Sequence, residues 1–95
     1  MSHRTEIQLF VVENFLFGDG ARLQDDTSLH EEGIIDSTGV LEVILFLEQT
    51  YHIHIEDEEL VPQNLDSVIN IDRFLERKLK EMEEIAGHSQ LKKSA

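Results

Sequence analysis

Glu31-Glu32-Gly33-Ile34-Ile35-Asp36-Ser37-Thr38-Gly39-Val40-Leu41-Glu42 is the stretch on which the fold turns. Asp36 suits a helix N-cap, because its carboxylate can accept a bond from a free backbone N–H of the first turn. Val40, Val43, Ile44, Leu47 and Tyr51 then recur at helical spacing, which predicts a helix from just after Asp36 to about Tyr51. That helix carries the Ser37 hydroxyl in its first turn, where open N–H groups and a partial positive charge favour an attached anion. If the Val40 stripe faces inward, Leu41 and Leu45 lie on the Ser37 side and face solvent, bordered by Glu42, Glu48 and Gln49. Gly39 disfavours a helix by roughly 1 kcal/mol relative to alanine. Either bulk is unwelcome at that position, or the glycine is a tolerated accident.

Upstream, a first helix is predicted over about Thr5 to Phe17. Ile7, Phe10, Val11 and Phe15 form its stripe, and Leu9, Val12 and Leu16 widen it. Gly18-Asp19-Gly20 should stop it. The polar loop from about Gly18 to Asp36 is long for a compact domain, so Leu23, Leu29 and Ile34 are expected to pin it to the core. Asp26, Thr27 and Ser28 could cap a short turn within it.

Downstream, His52 to Ile55 alternates polar and apolar residues. With no evident strand to pair with, it reads as an extended link burying Ile53 and Ile55. A short helical turn is expected over Asp57 to Val61, then a loop over Asn64 to Ser67 that ends in a cap. A last helix follows from Val68 to about Glu84, with Val68, Ile71, Leu75 and Leu79 on one face and Phe74 and Met82 flanking it. The apolar period then fails, so residues 1–84 are read as the domain and 85–95 as a flexible C-terminal tail.

Ninety-five residues suffice for one compact domain. Eight basic residues against twenty acidic give a net charge of −12. That sign argues against nucleic acid and against an anionic membrane as partners, and suits basic protein surfaces. The absence of cysteine excludes disulfides, thiolate catalysis and cysteine-bound metal. No secretory signal or membrane-length apolar run is present, so a cytoplasmic monomer is the expectation.

Asp36-Ser37 opening an amphipathic helix resembles the motif of the acyl carrier proteins, the phosphopantetheine-binding carrier family. Phe15, Leu23, Leu29, Val43, Leu47, Tyr51, Ile53 and Ile55 fall where that family keeps core apolar residues, and Ile55-Glu56-Asp57-Glu58-Glu59 resembles its acidic approach to a short third helix. The likeness spans roughly Ile7 to Leu79. It implies an all-α four-helix bundle with a long first loop and a short third helix. It also implies a 4′-phosphopantetheine arm on Ser37, installed by a phosphopantetheinyl transferase from coenzyme A, with an acyl or aminoacyl group held on the arm's thiol as a thioester.

The resemblance further implies that the carrier catalyses nothing itself. Ligases, acyltransferases or synthases with basic patches would dock on Thr38, Leu41, Glu42, Leu45 and Glu48. Thr38, Gly39 and Gln49 depart from the fatty-acid carriers. Glu-Glu-Gly-Ile-Ile-Asp-Ser and the Leu60 to Val68 segment resemble stand-alone carriers of specialised pathways, D-alanyl carriers among them.

Three other readings start from the same residues. The Leu41/Leu45 strip could serve a helical protein-interaction module without any arm. Ser37 could act as a nucleophile if His30 or His52 approached it in space. His52, His54 and Glu56 share one side of an extended segment, but a structural zinc site usually needs four ligands, and no metal is expected.

Overall fold

The computed structural model describes residues 2–94, with backbone only for Arg22 and residues 85–94. It is all-helical among the described residues: α1 (Arg4–Phe15), α2 (Ser37–Tyr51), a short α3 (Pro62–Leu65) and α4 (Val68–Ser94). Three-residue 3-10 turns stand at Gly20–Arg22 and Asp57–Glu59. The core unites Ile7 and Val11 of α1, Val43 and Leu47 of α2, Leu65 of α3, and Val68, Ile71, Phe74 and Leu75 of α4. Phe74 is fully buried rather than flanking, and Leu9 is 53% exposed rather than part of the stripe. None of the helices is long and apolar enough to cross a membrane, among the described residues.

The first helix ends two residues earlier than its apolar pattern suggests. Phe17 takes a left-handed backbone (φ 53°) and Gly18 follows with φ 87°. The Gly18 N–H then closes the helix end on the Val12 carbonyl at 3.0 Å. The long loop is anchored as expected, with Leu23, Leu29 and Ile34 buried and Ile35 beside them. Its geometry converges on Leu29, whose carbonyl accepts from the Ile34 and Ile35 N–H groups at 2.9 and 3.1 Å. Gly33 (φ 69°) makes that tight return possible.

Ile53 and Ile55 are buried in the link after α2. The segment expected as a loop over Asn64 to Ser67 is different. Pro62 does hold Val61 extended (φ −124°, ψ 152°), yet it opens α3 as its first residue. Proline suits that position because its missing N–H would have no helical partner there. Ser67 then caps α4, its hydroxyl accepting from the Asn70 N–H at 3.2 Å.

Helix α4 also runs well past Glu84, to Ser94. The apolar period stops near Met82, but alanine, glutamate, glutamine, leucine and lysine remain good helix formers. The segment expected as an unpatterned tail is therefore helix as far as Ser94.

Candidate functional site

Ser37 is the first residue of α2 and is exposed. Asp36 directly before it is extended (φ −99°, ψ −173°) and caps the helix, its Oδ1 accepting from the Gly39 N–H at 2.7 Å. The Val40 N–H goes to the Asp36 carbonyl at 3.0 Å. The Ser37 and Thr38 N–H groups are left open at the helix end, among the described residues. The helix thus presents a hydroxyl and two donors at its positive pole.

The position of Ser37 is set by what lies under it. Ile35 is buried one residue before the cap, and Gly39 is buried two residues after Ser37. A β-carbon on Gly39 would stand 3.0 Å from both Ile35 Cγ2 and Phe15 Cε1. A side chain there would press on both, and the glycine lets α1 and the loop close against the start of α2.

Ser37 opens onto a cleft of about 160 Å³, lined by Leu29, His30, Ile35, Asp36, Val40, Leu65 and Asp66. A second cleft of about 230 Å³ shares His30, Val40, Leu65 and Asp66 and continues to Leu60, Val61 and Pro62. The two form a groove from Ser37 along the α2–α3 side of the bundle. Asp66 holds its far wall. Its Oδ2 accepts from the Ser28 hydroxyl at 2.5 Å, its Oδ1 from the His30 N–H at 3.0 Å, and its carbonyl from the Leu29 N–H at 2.7 Å. Leu65 and Asp66 were not among the candidate residues, and His30 was considered only as a base for Ser37. The only sequence signal was Asp66 beside the Ser67 cap, and spacing does not reveal a pairing across 38 positions.

The remaining sequence candidates divide. Thr38 and Glu42 are exposed, and Leu41 and Leu45 are 62% and 52% exposed, as the periodicity predicts. Glu42 and Leu45 line a shallow groove with Phe10, Asn14, Phe46, Gln49 and Thr50. Phe10 and Phe46 stack at 4.2 Å in its floor. Glu48 departs from this strip. It is half-buried, with Oε2 accepting from the Ile55 N–H at 2.9 Å, and so it ties down the link after α2.

His30 lines the same cleft as Ser37, but no hydrogen bond joins the Ser37 hydroxyl to a histidine among the described residues. His52 is the left-handed cap of α2 (φ 56°), which breaks the extended alternation that would align it with His54 and Glu56. His54 instead meets Glu48 at 3.6 Å and Glu56 at 3.2 Å.

No family model and no curated protein matches the chain. Solved structures do. One, described as KstB-PCP in its apo form, a peptidyl carrier protein, is 40% identical over 79% of this chain and 84% of its own, with a TM-score of 0.65. Another, described as a crystal structure of an FAD-dependent dehydrogenase, is 25% identical over 73% of this chain and 97% of the matched chain, with a TM-score of 0.66.

Proposed function

The chain belongs to the carrier-protein family, and on that premise we propose that Ser37 receives a 4′-phosphopantetheine arm and that the domain carries an acyl or aminoacyl group between enzymes. The observation that carries this reading is the exposed Ser37 hydroxyl at the head of a 15-residue helix, beside a groove. When bound, the arm supplies a flexible thiol that holds the cargo as a thioester.

The loading step balances simply. The Ser37 Oγ forms a bond to the phosphorus bearing pantetheine in coenzyme A. The pyrophosphate bond breaks, 3′-phosphoadenosine 5′-phosphate leaves, and the hydroxyl proton passes to a base on the transferase.

Magnitudes show what the helix end contributes. A helix N-terminus stabilises an exposed anion by about 0.3–1 kcal/mol. Two unit charges ~6 Å apart in water repel by about 0.7 kcal/mol, which sets the scale of any repulsion from a neighbouring carboxylate such as Asp36. The two nearly cancel, so the site provides access and orientation rather than affinity, which suffices for a covalently held group. The open Ser37 and Thr38 N–H groups can donate to the phosphodiester oxygens, and Val40, Leu65 and Leu29 give the groove an apolar wall for arm or cargo.

Thr38, Leu41, Glu42 and Leu45 are the docking strip in this reading, with Glu48 acting beneath it. A net charge of −12 favours partner enzymes with basic patches, the ligases, acyltransferases and synthases of an acyl or aminoacyl pathway.

Co-expression with a broad-specificity phosphopantetheinyl transferase tests the proposal. The intact mass should rise by one phosphopantetheine, and Ser37→Ala should abolish the gain. No gain on the wild type, or one that persists in Ser37→Ala, defeats it. Partner binding that is undiminished in Ser37→Ala would instead mark an interaction module that needs no arm.

A further inference from the structure

Phe17 is the most exposed large apolar side chain among the described residues, at 96%. A single exposed apolar residue is ordinary, but Phe17 also has a left-handed backbone (φ 53°). For a bulky residue that conformation is a real outlier. A helix usually ends on glycine or asparagine at such a position. Here the glycine comes one residue later, at Gly18. Two unfavourable terms, hydration of a whole ring and backbone strain, fall on one residue that makes no compensating contact in the fold.

The placement suggests what offsets them. Phe17 lies two residues beyond Phe15, whose ring touches the Gly39 position in the first turn of α2. Phe17 therefore stands at the end of the bundle that carries Ser37. Leu41, one helical turn after Ser37, is the next most exposed large apolar side chain described. Glu13, Asp19, Asp36 and Glu42 are exposed on the same segments of α1, loop and α2. The end of the bundle that carries Ser37 thus combines exposed acids with two apolar projections, Phe17 and Leu41, from different elements.

The geometry points to Phe17 as a docking anchor for the transferase that modifies Ser37, inserting its ring into an apolar pocket with a basic rim. The inference rests on the assignment of Ser37 above. An enzyme that works on the Ser37 hydroxyl must cover this end of the bundle, since a specific interface takes about 800 Å² of each partner. Aromatic side chains that become fully desolvated dominate the energetics of such interfaces. The left-handed backbone projects the ring instead of folding it onto α1.

Steady-state modification by a broad-specificity phosphopantetheinyl transferase, followed by intact mass, tests this in the full chain. Phe17→Gly should raise KM about tenfold or more and leave kcat unchanged, as expected for loss of a binding anchor. Its Tm should be equal to or above that of the wild type, because glycine relieves the strain and no buried contact is lost. Phe17→Tyr should keep a KM near the wild-type value. A wild-type KM in Phe17→Gly, with Ser37→Ala still blocking modification, overturns the anchor and leaves Ser37 in place. A lowered Tm overturns it in favour of a packing role. Failure of the wild type to gain the arm removes the Ser37 assignment and the anchor together.

Discussion

The ring of Phe15 comes within 3.0 Å of where a β-carbon on Gly39 would stand, so α1 and the first turn of α2 meet at a distance that any larger residue could keep only if its neighbours gave way. Alanine there would gain roughly 1 kcal/mol of helix propensity. It would also push on both Phe15 and Ile35, and overpacking of this kind typically costs 1–3 kcal/mol, about the same or more. Gly39→Ala is therefore expected to be net destabilising by about 1 kcal/mol, lowering Tm by roughly 4–8 °C in a domain of this size. A Tm equal to or above the wild type would mean that the neighbours yield freely.

The two residues that open α2 should separate in their effects. Asp36 caps the helix through the Gly39 N–H at 2.7 Å, and loss of such a cap costs about 0.5–2 kcal/mol. Asp36→Ala should lower Tm. Ser37→Ala removes an exposed hydroxyl that has no side-chain partner among the described residues, and should leave stability within roughly ±0.5 kcal/mol, a Tm change of at most about 2–4 °C. Parallel melting curves of the two variants decide this. A large loss in Ser37→Ala would assign the hydroxyl a structural role.

Asp66 governs the loop that delivers the chain to Ser37. It accepts from Ser28, His30 and Leu29 across the α3–α4 junction, and a bond to a charged group contributes about 1.5–3 kcal/mol. Ser28→Ala should open the loop without unfolding the bundle. Hydrogen exchange should then accelerate at the Leu29, His30 and Ile34 amides while the α4 amides stay protected. Uniform acceleration across both regions would show that the clamp is part of the global fold instead.

The helices and their buried faces were legible because they depend on local chemistry. The Asp36 cap, the Val43/Leu47 stripe and the Val68/Ile71/Leu75 face are all set by spacing along one element. Leu23, Leu29 and Ile34 could be assigned to the core because apolar residues in a polar loop have few other places to go. What was not legible depends on contacts between distant segments. The groove beside Ser37 exists because Asp66 reaches Ser28 and His30, and no period encodes that. Helix α3 was hidden because Pro62 reads equally as a stop or as a first residue, and packing of Leu65 decides between them. Glu48 looked like a surface acid until the chain after Tyr51 turned back and placed the Ile55 N–H against it. Phe17 looked like the last residue of the first helix, and its left-handed backbone (φ 53°) shows that it lies beyond the helix end.

At the opposite end of α2, the Tyr51 hydroxyl donates to Glu6 Oε1 at 2.7 Å. Burial, and then the bond to Glu6, push the phenol well above its ordinary value of 10.0. The same bond, with His3, holds Glu6 below 4.5. A phenol that is less acidic folded than unfolded adds stability below about pH 10, and the gain is lost as pH rises through the folded value. Tyr51→Phe should thus differ from the wild type at neutral pH and converge with it in strong alkali. A constant difference in Tm across that range would show that the effect is packing alone.

Glu59 sets an acid limb with the opposite sign. Burial works against its charge, but the Glu56 N–H (2.9 Å) and the Lys78 ammonium (3.0 Å) outweigh it and, with Arg77, hold the carboxyl below its ordinary 4.5. Because the unfolded chain takes up this proton more readily, the carboxylate stabilises the fold above about pH 4.5, and that contribution is lost as pH falls through the folded value. Acid also relieves the repulsion within a chain of charge −12, so the absolute Tm mixes two opposing trends. The difference between wild type and Glu59→Gln isolates one of them, since glutamine can still accept from the Glu56 N–H but cannot pair with Lys78. That difference should be largest near neutral pH and shrink below pH 4.5. If the two melting profiles instead run parallel through the acid range, the Glu59–Lys78 pair contributes nothing to the pH dependence.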